Sequence, residues 1–166
     1  MQDDGNTLDR PQRLVLDTNA WLDLLCFDDS RLAPLHGLVA NHQVLLLTDE
    51  RTRAEWRRVL AYPQLSLDKT ARYALLAAYD ALACPISKRD ETPDALPVLP
   101  RCRDRDDQIF VELAAAGAAT ALLTRDKALL ALDRRCRRVA GFAVCQPAEW
   151  LAGVADVDVG APAGVA

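Results

Sequence analysis

The sequence has no C-x-x-C pair and no histidine near a cysteine. Cys26, Cys84, Cys102, Cys136 and Cys145 are widely and irregularly spaced, and His36 and His42 stand apart from them. A zinc site, which draws on such clusters, is therefore not expected. An odd number of unpatterned cysteines fits free thiols in a reducing cytoplasm. Nor does any apolar run approach the roughly 18 residues that cross a bilayer, so no membrane helix is expected. Met1 to Arg10 is polar and acidic rather than basic and then apolar, and a secretory leader is not expected either.

Lysine is nearly absent. Lys69, Lys88 and Lys127 are the only three, and the other basic residues are arginines. With a net charge of −4, the whole chain makes no electrostatic case for nucleic acid. Its arginines cluster, however, at Arg51, Arg53, Arg57 and Arg58, at Arg101, Arg103 and Arg105, and at Arg134, Arg135, Arg137 and Arg138. Local patches of this kind decide phosphate binding. The plainer reading of each cluster is a solvated helix face.

What the chain does contain is a core: 166 residues, 51% of them hydrophobic, enough for one packed domain. Short aliphatic runs predict strands at 13–16, 43–47 and 121–123, with weaker ones at 84–86 and 142–145. Helical spacing between them predicts helices over 19–27, 32–41, 50–61, 69–82, 107–116, 127–133 and 147–151. Pro34 and Pro147 fall in first turns, and Gly117 stands where a C-cap belongs. Residues 87–100, with three prolines and five charges, read as a loop. Residues 1–12 read as a disordered lead-in, 13–152 as the domain, and 153–166 as a flexible tail. Continuous aliphatic strands alternating with helices predict an α/β fold, a mostly parallel sheet covered on both faces.

Three of these strands run into polar residues at their carboxyl ends. Leu16 leads into Asp17-Thr18-Asn19, Leu47 into Thr48-Asp49, and Leu123 into Thr124-Arg125-Asp126. Asp104, Asp106 and Asp107 lie at a helix start. Right-handed crossovers bring parallel strand ends to one edge, where open α/β sheets bind ligands. Carboxylates gathered there repel unless protonated or neutralised by a cation. With oxygen donors and no histidine nearby, that cation is hard, Mg²⁺ or Mn²⁺. Such ions serve phosphodiester hydrolysis. Each aspartate also has a plainer reading as a helix cap, and Glu55 as half of a surface ion pair with Arg51.

The order Leu-Val-Leu-Asp-Thr-Asn (14–19), Leu-Leu-Thr-Asp-Glu-Arg-Thr-Arg-Ala-Glu-Trp (46–56), Arg-Asp-Arg-Asp-Asp-Gln-Ile-Phe (103–110) and Ala-Leu-Leu-Thr-Arg-Asp-Lys-Ala-Leu-Leu (121–130) resembles the PIN domain family. More narrowly, it is similar to toxin components of type II toxin–antitoxin systems. That resemblance implies a three-layer α/β/α sandwich and Mg²⁺- or Mn²⁺-dependent cleavage of single-stranded RNA. It implies an antitoxin partner and a homodimer. Carried over by position, the four acids are Asp17, Glu55, Asp107 and Asp126, as catalytic groups and metal ligands. Asn19, Thr124 and Asp104 support them. Glu50 competes with Glu55, and Asp104 and Asp106 with Asp107, for the place facing the metal. Arg51, Arg58, Arg101, Arg103 and Arg125 would hold the RNA backbone. The rivals are a phosphatase with Asp17 as nucleophile, a non-catalytic binding module of the same fold, and an RNA-processing nuclease outside any toxin–antitoxin pair.

Overall fold

The computed structural model describes residues 10–87 and 98–158. Most of the expected loop, residues 1–9 of the lead-in and the end of the tail lie outside these. In chain order the elements are β1 (Gln12–Leu16), α1 (Thr18–Leu25), α2 (Ala33–Ala40), β2 (Val44–Thr48), α3 (Glu50–Leu60), α4 (Lys69–Leu82), β3 (Ala83–Pro85), α5 (Gln108–Ala116), β4 (Ala121–Leu123), α6 (Lys127–Leu130), α7 (Asp133–Ala140), β5 (Ala143–Cys145) and α8 (Pro147–Asp158). Short 3₁₀ turns at Ser30–Leu32 and Pro63–Leu65 lead into α2 and out of α3.

The five strands form one parallel sheet in the order β3-β2-β1-β4-β5. Side chains alternate across it, as the two-residue period of a strand requires. Leu14 and Leu16 face one core with Leu46 and Leu123, while Val15 faces the other with Leu47 and Leu122. The first core is closed by α1 to α4, and its centre is aromatic: the Trp21 ring lies 4.4 Å from Tyr79 and Trp56 stacks on Tyr79 at 5.6 Å. The second is closed by α5 to α7 through Phe110, Val111, Leu113, Leu129 and Cys136. Among the described residues no helix is long and apolar enough to cross a membrane.

Local chemistry starts the helices where the sequence implies. Asp49 and Thr52 form a reciprocal capping box at α3, and Asp68 caps α4 through Ala71 N–H at 2.7 Å. Three boundaries differ from expectation. The expected helix over 127–133 ends at Leu130 as α6, and after a turn at Ala131 and Leu132 the chain forms α7, a helix that the spacing did not predict. The last helix continues through the expected tail as far as Asp158, since Gly153 and the small residues beside it do not interrupt it. And Gly117 does end α5, but with φ −84°; the left-handed residue is the next one, Ala118, at φ 47°.

The strand order places the site. The chain begins at the sheet centre with β1, builds outward through β2 and β3, then returns to the other side of β1 with β4. The reversal of direction between β1 and β4 opens a crevice at their carboxyl ends. Asp17 follows β1 and Thr124 follows β4, and Asp17 N–H donates to Leu123 C=O at 3.1 Å.

Candidate active site

Asp17 is 3% exposed. One carboxylate oxygen accepts from Ala20 N–H at 2.7 Å, capping α1, and the other accepts from the Thr124 hydroxyl at 2.5 Å. Thr124, itself fully buried, accepts from Asp126 N–H at 2.9 Å. The hydroxyl thus ties the ends of β1 and β4 to one another. Burial pushes the Asp17 carboxyl up to about 6, against the two hydrogen bonds, with smaller contributions from the charges of Asp126 and Asp23.

Asp107 stands at the N-terminus of α5 and makes no capping hydrogen bond. It is half-buried. Partial burial, then the charges of Asp104, Asp126, Asp17 and Asp106, push its carboxyl up to about 6 as well. Asp17 and Asp107 line one hollow of about 310 Å³ with Thr18, Asn19, Glu55 and Tyr62. Two acids far apart in sequence therefore share one small space, and both have their ionisation opposed.

Glu55, half-buried, reaches this hollow from α3. Its carboxylate is held by the Arg58 guanidinium through two 2.8 Å bonds, not by Arg51. Glu50 does not share the hollow; it is exposed and lines a separate depression near Pro85 and Ile86. Asp104 is exposed and accepts from Asp106 N–H in a local turn, while Asp106 turns toward Arg58 at 4.0 Å. Asp126 caps α6, accepting from Ala128 N–H at 2.7 Å and Leu129 N–H at 3.2 Å through one oxygen. Its charge acts on both Asp17 and Asp107, although it does not line the hollow. Asn19 is exposed at the rim.

The arginines separate into two kinds. Arg51 is held by Asp49 and Glu112, Arg58 by Glu55, and Arg125 by Asp23. Arg101 and Arg103 are exposed and have no carboxylate partner among the described residues. The Asp23 contact was not foreseen. This residue is 5% exposed on α1 and receives both Arg125 nitrogens, at 2.6 and 2.8 Å. The only sequence signal for it is an aspartate between the apolar residues of an amphipathic helix, and that pattern does not name its partner.

Whether a hard divalent cation fits can be judged from the donors. All are carboxylates, hydroxyls or carboxamides, the set such ions prefer. At Asp17 and Asp107 burial and neighbouring carboxylates oppose the charged form more than local contacts favour it, a cost that a cation would offset. Among the described residues no three acidic, histidine or cysteine side chains already close on one point. The local contacts explain this: Arg58 holds Glu55, and the first turn of α6 holds Asp126. The residues fit the ion in kind, and Glu55 has to leave Arg58 to join it.

The family model described as PIN domain matches residues 13–128. The crystal structure of VapBC2 from Rickettsia felis, bound to a DNA fragment from their promoter, shares the fold with a TM-score of 0.51. It is 15% identical in sequence, and the match covers 80% of this chain and 97% of that one. Among curated proteins, none matches this sequence.

Proposed function

This chain belongs to the PIN domain family, and from that premise we propose that it is a Mg²⁺- or Mn²⁺-dependent endoribonuclease for single-stranded RNA, the toxin of a toxin–antitoxin pair. The observation that carries the reading is the shared hollow. Asp17 from the end of β1 and Asp107 from the start of α5 meet there, both pushed up to about 6, with Glu55 beside them.

Asp17, Asp107, Asp126 and Glu55 would hold the ion, which lowers the pKa of a bound water and offsets charge on the phosphoryl oxygens. The chain's own residues then divide the remaining work. Thr124 orients Asp17 through the bond it already makes and keeps the Asp17 and Asp126 backbones in register. Asn19 at the rim offers a neutral amide to substrate. Glu55 would hold the ion only by leaving Arg58, and that guanidinium would then be available to a phosphate. Arg101 and Arg103 are the other unpaired cations among those expected to hold the backbone, where phosphate contacts position the strand without reading its sequence. Arg51 and Arg125 serve the same strand only by giving up acidic partners, and we assign Arg125 a structural role first.

The antitoxin partner is supported by the likeness to VapBC2, solved on DNA from its own promoter. The test is cleavage of a labelled single-stranded RNA with Mn²⁺ by the wild type and by Asp17→Asn and Asp107→Asn. Cleavage by the wild type with a loss of at least about a hundredfold in each variant is expected, since disturbing only the outer-shell partners of metal ligands costs about 10- to 100-fold and a direct ligand counts for more. Equal rates in all three would sink the assignment.

A further inference from the structure

Beside the acidic hollow, on the other side of the last turn of α3, lies a second groove of about 410 Å³ between α3 and α4. Its floor is apolar, with Leu60 and Leu76, and its rim carries Arg57, Lys69, Arg72 and Tyr73. Val59 and Tyr62 line the acidic hollow while Leu60 and Ala61 line this groove, so the two depressions flank the same few residues.

The rim gathers three cations that no carboxylate holds, although Arg101, Arg103, Arg134, Arg135 and Arg138 are likewise unpaired elsewhere among the described residues. In this net-acidic chain, Arg31, Arg51, Arg53, Arg58, Arg125 and Arg137 are each paired with a carboxylate. Arg57, Lys69 and Arg72 are not, among the described residues. Arg57 lies close enough to Asp80 to help lower its pKa but forms no ion pair with it. Arg72 bonds only the Leu67 carbonyl, at 3.0 Å, and Lys69 lies 5.8 Å over the Tyr73 ring. Tyr73 is 63% exposed and Tyr62 39%, and Arg58 lies 5.8 Å over the Tyr62 ring. Tyr62 on the acidic hollow and Tyr73 on the groove thus each expose an aromatic ring with a cation over it.

We propose that this groove, with Tyr62 and Tyr73, is the path of a single-stranded nucleic acid entering the acidic hollow. Unpaired cations match phosphates, and exposed tyrosines over an apolar floor match base faces, the two elements by which proteins hold single strands. A polyanion is the occupant that the charges select. An acidic polypeptide would satisfy the cations but would leave the open tyrosine faces without a use. The proposal rests on the nuclease reading for its direction, because the strand is placed to bring one phosphodiester over Asp17 and Asp107.

Binding and cleavage separate the two. The full chain, in chelator, is titrated into a fluorescent oligouridylate of about 12 nucleotides and followed by anisotropy at several salt concentrations. Tyr73→Leu is expected to weaken binding about five- to a hundredfold, the range of one lost stacking contact. Arg57→Gln with Arg72→Gln is expected to lower the salt-dependence slope by about 1.4, for two phosphate contacts on a single strand. Arg134→Gln with Arg138→Gln, which removes equal charge from α7, should change neither. All of these side chains are exposed, so folding is not at stake. Unchanged oligouridylate affinity in both groove variants overturns the path, whether or not the wild type cleaves. So does a groove that binds polyglutamate as tightly as oligouridylate and ignores Tyr73→Leu; that result assigns it to an acidic protein segment. Binding that responds as expected in a protein that never cleaves RNA keeps the path and removes the nuclease reading alone.

Discussion

The Asp17 carboxylate accepts two hydrogen bonds that favour its charged form, and burial still prevails over both. The consequence for stability has a definite sign. With a folded pKa of about 6 against 3.8 unfolded, the folded state binds more protons between these values. Stability from this group is complete below about pH 4 and is lost as pH rises through 6. Two units correspond to roughly 3 kcal/mol. Asp17→Asn should therefore match the wild type in denaturant stability near pH 4 and exceed it by about 3 kcal/mol at pH 7, in chelator. A constant difference across that range would contradict the burial argument. Arg125 poses the opposite case. Asp23 is buried and its guanidinium partner half-exposed, so Arg125→Ala strands a charge and is expected to cost about 2 kcal/mol. If urea denaturation shows no loss, the pair is a surface ornament and Arg125 returns to the candidates for phosphate binding.

At the scale of elements, the end of α5 shows how position and conformation exchange roles. A Cβ on Gly117 would lie 2.6 Å from Leu47 Cδ1 and 3.1 Å from the Leu113 carbonyl. The glycine is needed for close approach of α5 to β2, while its φ is one any residue adopts. Ala118 bears the left-handed turn instead, at a steric cost of about 1 kcal/mol or more for a residue with a Cβ. Gly117→Ala is expected to destabilise by about 1–3 kcal/mol through overpacking. Ala118→Gly should be neutral to about 1 kcal/mol stabilising, since relief of strain exceeds or balances the added freedom of the unfolded chain. Thermal melts of the two variants shifting in the reverse order would refute this account. The capping boxes and N-caps, by contrast, are legible from sequence, because a cap is a contact across three residues. Asp49, Asp68 and Asp126 cap helices where the residues alone imply they can.

At the scale of the whole molecule, the acidic hollow is an electrostatic cost that the fold carries without a cation. A divalent ion that binds the folded chain and not the unfolded one raises stability with its concentration. Millimolar Mn²⁺ is therefore expected to raise the melting temperature at pH 7, by much less at pH 4.5, where the raised carboxyls are protonated. The increment should shrink in Asp107→Asn. A shift equal at both pH values would point to binding elsewhere.

The sequence by itself determined the layers. Aliphatic runs of three to five residues, alternating with amphipathic helices, permit little but a parallel sheet covered on both faces, and they end strands at Asp17 and Thr124. It also sufficed to carry the family resemblance, because the four acidic motifs keep their order along the chain. Only the tertiary structure decided which of these polar residues share a space. Strand order is a matter of long-range pairing, and it is the return of β4 to the far side of β1 that sets Thr124 on Asp17, 107 positions apart. The same packing turned Glu55 to the hollow and Glu50 away, left Asp107 uncapped while Asp126 caps a helix, and joined Arg125 to Asp23. Each of these depends on which face of a helix meets which edge of the sheet, and spacing along the chain carries no information about that.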